Sequence, residues 1–312
     1  MSPAHGERPS AIGNLKPGIE ILRDLWRSEL DILLATISNG RRNHEEIHRS
    51  AQHVSSDYQG RFLIELIQNA NDQARLAVLE SSTVKILRTD RFVAVSNQGQ
   101  PFDAKKVQGV TSIFLSDKPP DLCIGNKGIG FKAVFEIAEE AEIYSAANGR
   151  NLTEDCSLAF RIVREPLDDP ELRTEFTWIA QELLDRNPDR AAALRALRPG
   201  VSPMDQMLQE AAKAAWFKFP LPADHARLIA HLADAGLGKA FLQQCQTMVL
   251  LPIRCTERSQ QTVSTAVSEI VGKIDATANG STNAAMLFLD GITRLARINH
   301  QTSCQARMAS DK

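Results

Sequence analysis

The chain has 312 residues, 43% of them hydrophobic and 24% charged, with a formal net charge of −2 at pH 7. That length holds one large domain or two ordinary ones around a sizeable core. The near-balanced charge argues against a broad electrostatic grip on nucleic acid or an anionic membrane, and no apolar run approaches the roughly 20 residues of a membrane-spanning helix.

The opening stretch, MSPAHGERPSAIGNLKPG, lacks the basic-then-apolar layout of a secretory signal. A cytoplasmic protein with a flexible tail over residues 1–15 is expected. The five cysteines, Cys123, Cys156, Cys245, Cys255 and Cys304, are scattered without metal-ligand spacing and read as reduced thiols. From Ile19, IEILRDLWRSELDILLATI repeats apolar residues at helical spacing, and Gly40 is a stop signal. RRNHEEIHRSAQH follows, carrying His44, His48 and His53. The first two sit four apart and invite a metal or phosphoacceptor reading. A solvated helix face is the plainer one, since no third ligand or orienting acid is evident.

SSDYQGRFLIELIQNANDQARLAVLE predicts a long helix with Ser or Asp near its N-cap. STVKILRT and RFVAVSN, joined by Asp-Arg, predict an antiparallel pair. The next stretch, NQGQPFDAKKVQGVTSIFLSDKPPDLCIGNKGIG, is rich in turn residues, with one short helical piece. Loops of such length inside a domain are commonly functional lids. FKAVFEIAEE predicts a helix, and AEIYSA and SLAFRIVRE predict strands. Helices are expected in WIAQELLDR, RAAALRAL, DHARLIAHLADAG and KAFLQQCQ, and strands in AAWFKFPL and TMVLLPIRCTE. MLFLDGITRLARI fits a final helix or strand, and no internal repeat is visible. The mixture predicts an α+β protein with mostly antiparallel strands.

Two stretches carry chemistry. In ELIQNAND, residues 65–72, Glu65, Asn69 and Asp72 fall on one helix face beside flanks suited to a core. A polar stripe there suits a cavity holding something charged. Glu65 has the chemistry of a general base on water, and Asn69 that of a neutral oxygen ligand to Mg²⁺. The plainer reading is a half-exposed helix face with local hydrogen bonds. In GNKGIGFKAVF, residues 125–135, three glycines precede an apolar helical run. Open backbone N–H groups, a helix N-terminus, Lys127 and Lys132 together make a phosphate cradle. The spacing matches neither a P-loop nor a dinucleotide fingerprint. Between them, Asn97 and Gly99 in VSNQGQPF end a strand where an amide can read the edge of a flat heterocycle.

The order and spacing of these elements resemble the GHKL ATPases, a group that includes gyrase, large heat-shock chaperones, histidine kinases and mismatch-repair proteins. ELIQNAND is similar to their N box, NQGQPF to their adenine box and GNKGIGFKAVF to their GxxGxG box. Within the group the chain most resembles the chaperone-like branch containing sacsin and the plant NO VEIN type of protein. The resemblance runs over about residues 45–165, more loosely to 222. It implies a two-layer α/β sandwich of the histidine kinase/heat-shock chaperone type over residues 16–222. A lid over 102–124 and an α/β extension over 223–312, an incomplete transducer-like region, complete the expected layout.

The resemblance also implies roles. Glu65 would be the general base, Asn69 the Mg²⁺ ligand and Asp72 a pocket-lining residue. Asn97 would meet the adenine amino group, and Gly99 would give the base room. Gly125, Gly128 and Gly130 would shape the phosphate turn with Lys127, Ile129 and Phe131, and Lys132 would lie near the phosphates. Ser116 and Lys118 would contact phosphate from the lid. Two departures stand out: Asn97 replaces the family aspartate, and Ala215 in AAWFKFPL falls where relatives place a late-strand threonine. The expected function is ATP binding with slow Mg²⁺-dependent hydrolysis, coupled to lid closure and to contacts with protein clients or a homodimer partner. The alternatives are a catalytically silent nucleotide-gated interaction module and, third, a histidine kinase.

Overall fold

A computed structural model of the chain describes residues 18–41, 44–47, 60–77, 83–112, 130–154, 156–278 and 294–299. Its strands are β1 (Thr83–Arg88), β2 (Phe92–Asn97), β3 (Glu140–Ser145), β4 (Leu158–Val163), β5 (Leu221–Pro222), β6 (Thr247–Pro252) and β7 (Arg294–Asn299). They form one seven-stranded sheet in the order β5-β4-β3-β6-β2-β1-β7. Every neighbouring pair is antiparallel except β7, which runs parallel to β1 at the edge. The fold is therefore α+β, and the expected β1–β2 pair forms, with Lys85 opposite Ser96 and Arg88 opposite Val93.

Strand alternation separates two cores. On one face Val84, Ile86, Val93, Val95, Ile143, Phe160, Ile162 and Leu251 meet the main helical layer. That layer contains α1 (Ile19–Ser38), α2 (Phe62–Leu76), α4 (Pro170–Arg186), α5 (Pro188–Leu197), α6 (Pro203–Lys213) and the apolar stripe Val263, Ala266, Val267 and Ile270 of α8 (Glu257–Ala278). The short α3 (Ala104–Thr111) starts at an Asp103 cap and buries Val107 in the same core. On the other face Phe92, Ala94, Tyr144, Met248 and Leu250 pack under α7 (His225–Asp234) through Leu228 and Leu232. The two-layer arrangement thus carries a shorter cover on its second face.

Polar pins fix the helical layer. The Arg23 guanidinium of α1 donates to Glu175 of α4 at 2.8 Å, both buried. Trp26 Nε1 donates to the Pro220 carbonyl at 2.9 Å, so α1 also holds the entry to β5. Helix α4 starts where Asp169 Oδ1 accepts from the Glu171 and Leu172 amides, with Pro170 in the first turn. Ser202 and Asp224 cap α6 and α7 in the same way.

Several expectations change. Helix α2 begins at Phe62 after Arg61, with no side-chain cap, whereas a Ser or Asp cap was expected upstream. Its entry is held instead by Glu136, whose Oε2 accepts the Gly60 amide at 2.6 Å. FKAVFEIAEE forms a 3-10 helix, Gly130–Glu136, in place of an α-helix. AAWFKFPL yields a 3-10 turn, Trp216–Lys218, and a two-residue strand, with Phe217 and Phe219 buried and Trp216 partly buried. An extension from residue 223 was expected outside the nucleotide domain. Strand β6 comes from that stretch and lies between β3 and β2, so both parts share one sheet.

Candidate functional site

The sheet rows beneath the helical layer are apolar until the strand ends. Val95 lies opposite Val249, which lies opposite Ile143. Two residues further, in the same orientation, Asn97 lies opposite Thr247, and Thr247 opposite Ser145. This row of an amide and two hydroxyls, all buried, faces the helical layer. Ser145 Oγ accepts the Phe102 amide at 2.9 Å and lies 3.4 Å from Thr247 Oγ1. Asn97 Oδ1 accepts the Gly99 amide at 2.9 Å, which fixes the turn after β2.

Helix α2 lies on that turn. A Cβ on Gly99 would come within 2.5 Å of the Gln73 backbone, so the helix requires glycine there. The bare face of Gly99, expected to leave room for a base, meets α2. The Gln100 amide donates to the Gln73 carbonyl at 3.3 Å, and its side chain donates to the Leu76 carbonyl at 2.9 Å. The end of α2 and the start of the following loop are thus tied together.

The polar stripe of α2 is largely withdrawn from solvent. Glu65 is nearly buried, Asn69 is half-buried and Asp72 is wholly buried. A Cβ on Gly130 would lie 2.0 Å from Glu65 Oε2, so the carboxylate occupies the place of that missing side chain. Arg61 Nη2 is 3.8 Å from the other carboxylate oxygen and is itself exposed. The two boxes read from the sequence, far apart in the chain, therefore meet at Glu65 and Gly130.

The lysine of the glycine box, expected near the phosphates, is held by backbone carbonyls. Lys132 Nζ donates to the Val110 and Ser112 carbonyls at 2.5 and 2.7 Å and sits 4.9 Å from the Phe217 ring. In a helix with about three residues per turn, a side chain two positions on points away from the first. Lys132 is fully desolvated, and this lowers its ammonium pKa to about 7. Phe131 is buried in the main core. Ser116, Lys118, Gly125, Lys127, Gly128 and Ile129, with most of the expected lid, lie outside the described residues.

Thr247 was missed in the sequence, which pointed to Ala215 instead. Ala215 precedes a 3-10 turn and is buried among apolar groups, whereas Thr247 opens β6 directly across from Asn97. The available signal was a hydroxyl at the start of the strand TMVLLP. The histidine-rich stretch also differs from a solvated face. His44 is buried and its Nε2 lies 3.0 Å from Glu210 Oε2. Ligand atoms of His44, Glu45 and Glu210 gather within 4.8 Å. Lys213 at 2.8 Å and Arg198 at 3.6 Å already balance Glu210, which makes this an ion-pair network. His48 and His53 lie outside the described residues. Of the cysteines described, Cys156 and Cys245 are buried and Cys255 is exposed, all as free thiols. No helix among the described residues is long and apolar enough to cross a membrane.

No family model matches the chain. It is similar to Protein NO VEIN of Arabidopsis thaliana, with 29% identity over 141 residues. The match takes in 44% of this chain and 5% of that protein, so the chain spans a small fraction of the relative's length.

Proposed function

We propose that the end of the sheet under α2 is a nucleotide site of the GHKL type, which binds ATP with Mg²⁺ and hydrolyses it slowly. The observation that carries this reading is the contact of Glu65 with Gly130, on the same helix α2 whose Gln73 packs on Gly99 next to the buried polar row Asn97, Thr247 and Ser145. The oxygen donors of α2, an amide at Asn69 and carboxylates at Glu65 and Asp72, suit a hard cation such as Mg²⁺. Asn69 would hold that ion, which when bound neutralises phosphate charge.

The chain's own residues divide the remaining work. Glu65 orients a water and accepts its proton, and the contact with Gly130 fixes where its carboxylate lies. Asn97 and Thr247 meet the base and its solvent at the strand ends. The similarity to the NO VEIN protein agrees with the branch that the sequence motifs resemble. Titration of the full chain with ATP, with and without Mg²⁺, tests binding. Glu65→Ala should retain binding and lose turnover, and an unchanged rate would remove Glu65 from the mechanism. A catalytically silent, nucleotide-gated module is the second reading. Its support is the position of Lys132, which holds two carbonyls at the end of α3. Turnover no greater than that of Asn69→Ala would favour it.

A further inference from the structure

We infer that Lys132, given the hydrolysing reading above on which this rests, is a positioning residue: through α3 it holds the glycine box in register with the polar row.

Helix α3 is pinned at both ends. At its start the Phe102 amide donates to Ser145 Oγ of the polar row at 2.9 Å, and Asp103 Oδ1 caps the helix by accepting the Lys106 amide. Lys106 Nζ turns back to the Pro101 carbonyl at 2.6 Å and closes that corner. At its other end Lys132 Nζ donates to the carbonyls of Val110 and Ser112. Thr111, between those two, is buried and donates its hydroxyl to the Val107 carbonyl at 2.8 Å. Lys132 stands two residues after Gly130 in the same 3-10 helix, and Gly130 is where the Glu65 carboxylate rests. One eight-residue helix, about 12 Å long, therefore joins the polar row to the glycine that seats Glu65.

A fully desolvated ammonium costs stability that an apolar side chain of similar length would not. What it supplies is direction. The last carbonyls of a helix have no partner within it, and here one charged donor meets two of them. Burial of Val107 alone is non-directional and leaves α3 free to turn about its axis. Two bonds from one atom fix the end of the helix against the glycine box, and the Phe217 ring at 4.9 Å holds the ammonium from a further side. A misplacement of about 1 Å at a reacting group costs on the order of a hundredfold in rate. Lys132 thus has leverage on the Glu65 carboxylate without touching nucleotide.

The test measures ATP turnover and ATP binding separately on the full chain with Mg²⁺. It compares wild type, Lys132→Met, Ser145→Ala and the double variant, each checked by a thermal melt. Lys132→Met should lower kcat at least about tenfold while the Kd for ATP moves less than about threefold. The double variant should lose no more in kcat than the worse single one, because α3 is then already loose at one end, whereas sites without a shared partner would multiply. If Lys132→Met does not fold, Lys132→Gln, which keeps a donor, takes its place in the same comparison. An unchanged kcat in the folded variant overturns the inference and leaves the nucleotide-site reading standing. Weaker ATP binding at unchanged kcat overturns it too, by making Lys132 a nucleotide contact. Multiplying effects remove α3 as the link. Wild-type turnover no greater than that of Asn69→Ala removes the reaction itself and overturns both the inference and the hydrolysing reading.

Discussion

The glycine at 130 and the lysine at 132 show how one short stretch serves two different constraints. Gly130 has Glu65 Oε2 where its side chain would be, at 2.0 Å from an ideal Cβ. Because that oxygen is the tip of a flexible side chain, Gly130→Ala should fold but push the carboxylate aside. Turnover should fall at least about tenfold, a step of ~1.4 kcal/mol in the barrier, while melting temperature changes little. Single-turnover kinetics with a thermal melt checks both, and an unaffected rate would show that the carboxylate's place is unimportant. Lys132 answers to burial instead. Its folded pKa of about 7 lies well below the 10.5 of a solvated lysine, so between those values the unfolded chain holds a proton the folded chain lacks. Stability should therefore rise with pH across that window, with the full penalty present below about 7. The shift corresponds to about 5 kcal/mol in order of magnitude. Lys132→Met should flatten that slope in urea titrations between pH 6.5 and 9.5, conditions chosen at roughly the two arms of the transition.

At the scale of elements, legibility in the sequence followed the range of the interactions. Helices α1 and α2 are visible because their 3.6-residue apolar period needs only local residues. The pair β1–β2 is visible because the turn at Asp90 and Arg91 is local too. The meeting of Glu65 with Gly130 was legible only through the motif resemblance, since no periodicity links residues so far apart. The place of Thr247 was not legible, because strand neighbours are set by non-local pairing that leaves no mark in either segment. The second-face cover shows the same limit. Glu142 of β3 is wholly buried; burial pushes its carboxyl up, but bonds from His231 and Tyr144 and the charge of Arg227 outweigh it and hold it low. Arg227 Nε donates to it at 2.6 Å and its guanidinium also pairs with Glu140. Arg227→Ala would leave a buried carboxylate short of its cation, so α7 should loosen and stability fall by about 3 kcal/mol. Denaturant unfolding measures the loss, and a change within about 0.5 kcal/mol would mean that solvent replaces the guanidinium freely.

For the whole molecule, the order of strands decides what can be removed. Strand β6 pairs with β2 on one side and β3 on the other, so it joins the β1–β2 pair to the β3–β4–β5 group. A chain ending at Pro222 would keep both groups but lose the strand between them. It would also lose buried Met248, Leu250 and Leu251, and with α8 the buried Val263 and Ile270. At about 1.5–3 kcal/mol for each large side chain returned to water, that loss is comparable to the ~5–15 kcal/mol that holds a whole domain folded. The same cut removes Thr247 from the polar row and leaves Asn97 and Ser145 without the residue that lies between them. Ending the chain at Ala278 is a different operation. It removes β7, which pairs only with β1 at the sheet's edge, and leaves β6 and α8 in place. The chain ending at 278 should keep a single cooperative thermal transition by circular dichroism, and the one ending at 222 should show none. A cooperative melt from residues 1–222 would mean that β2 and β3 can close on each other without β6, and that the sheet order is not what holds the site together.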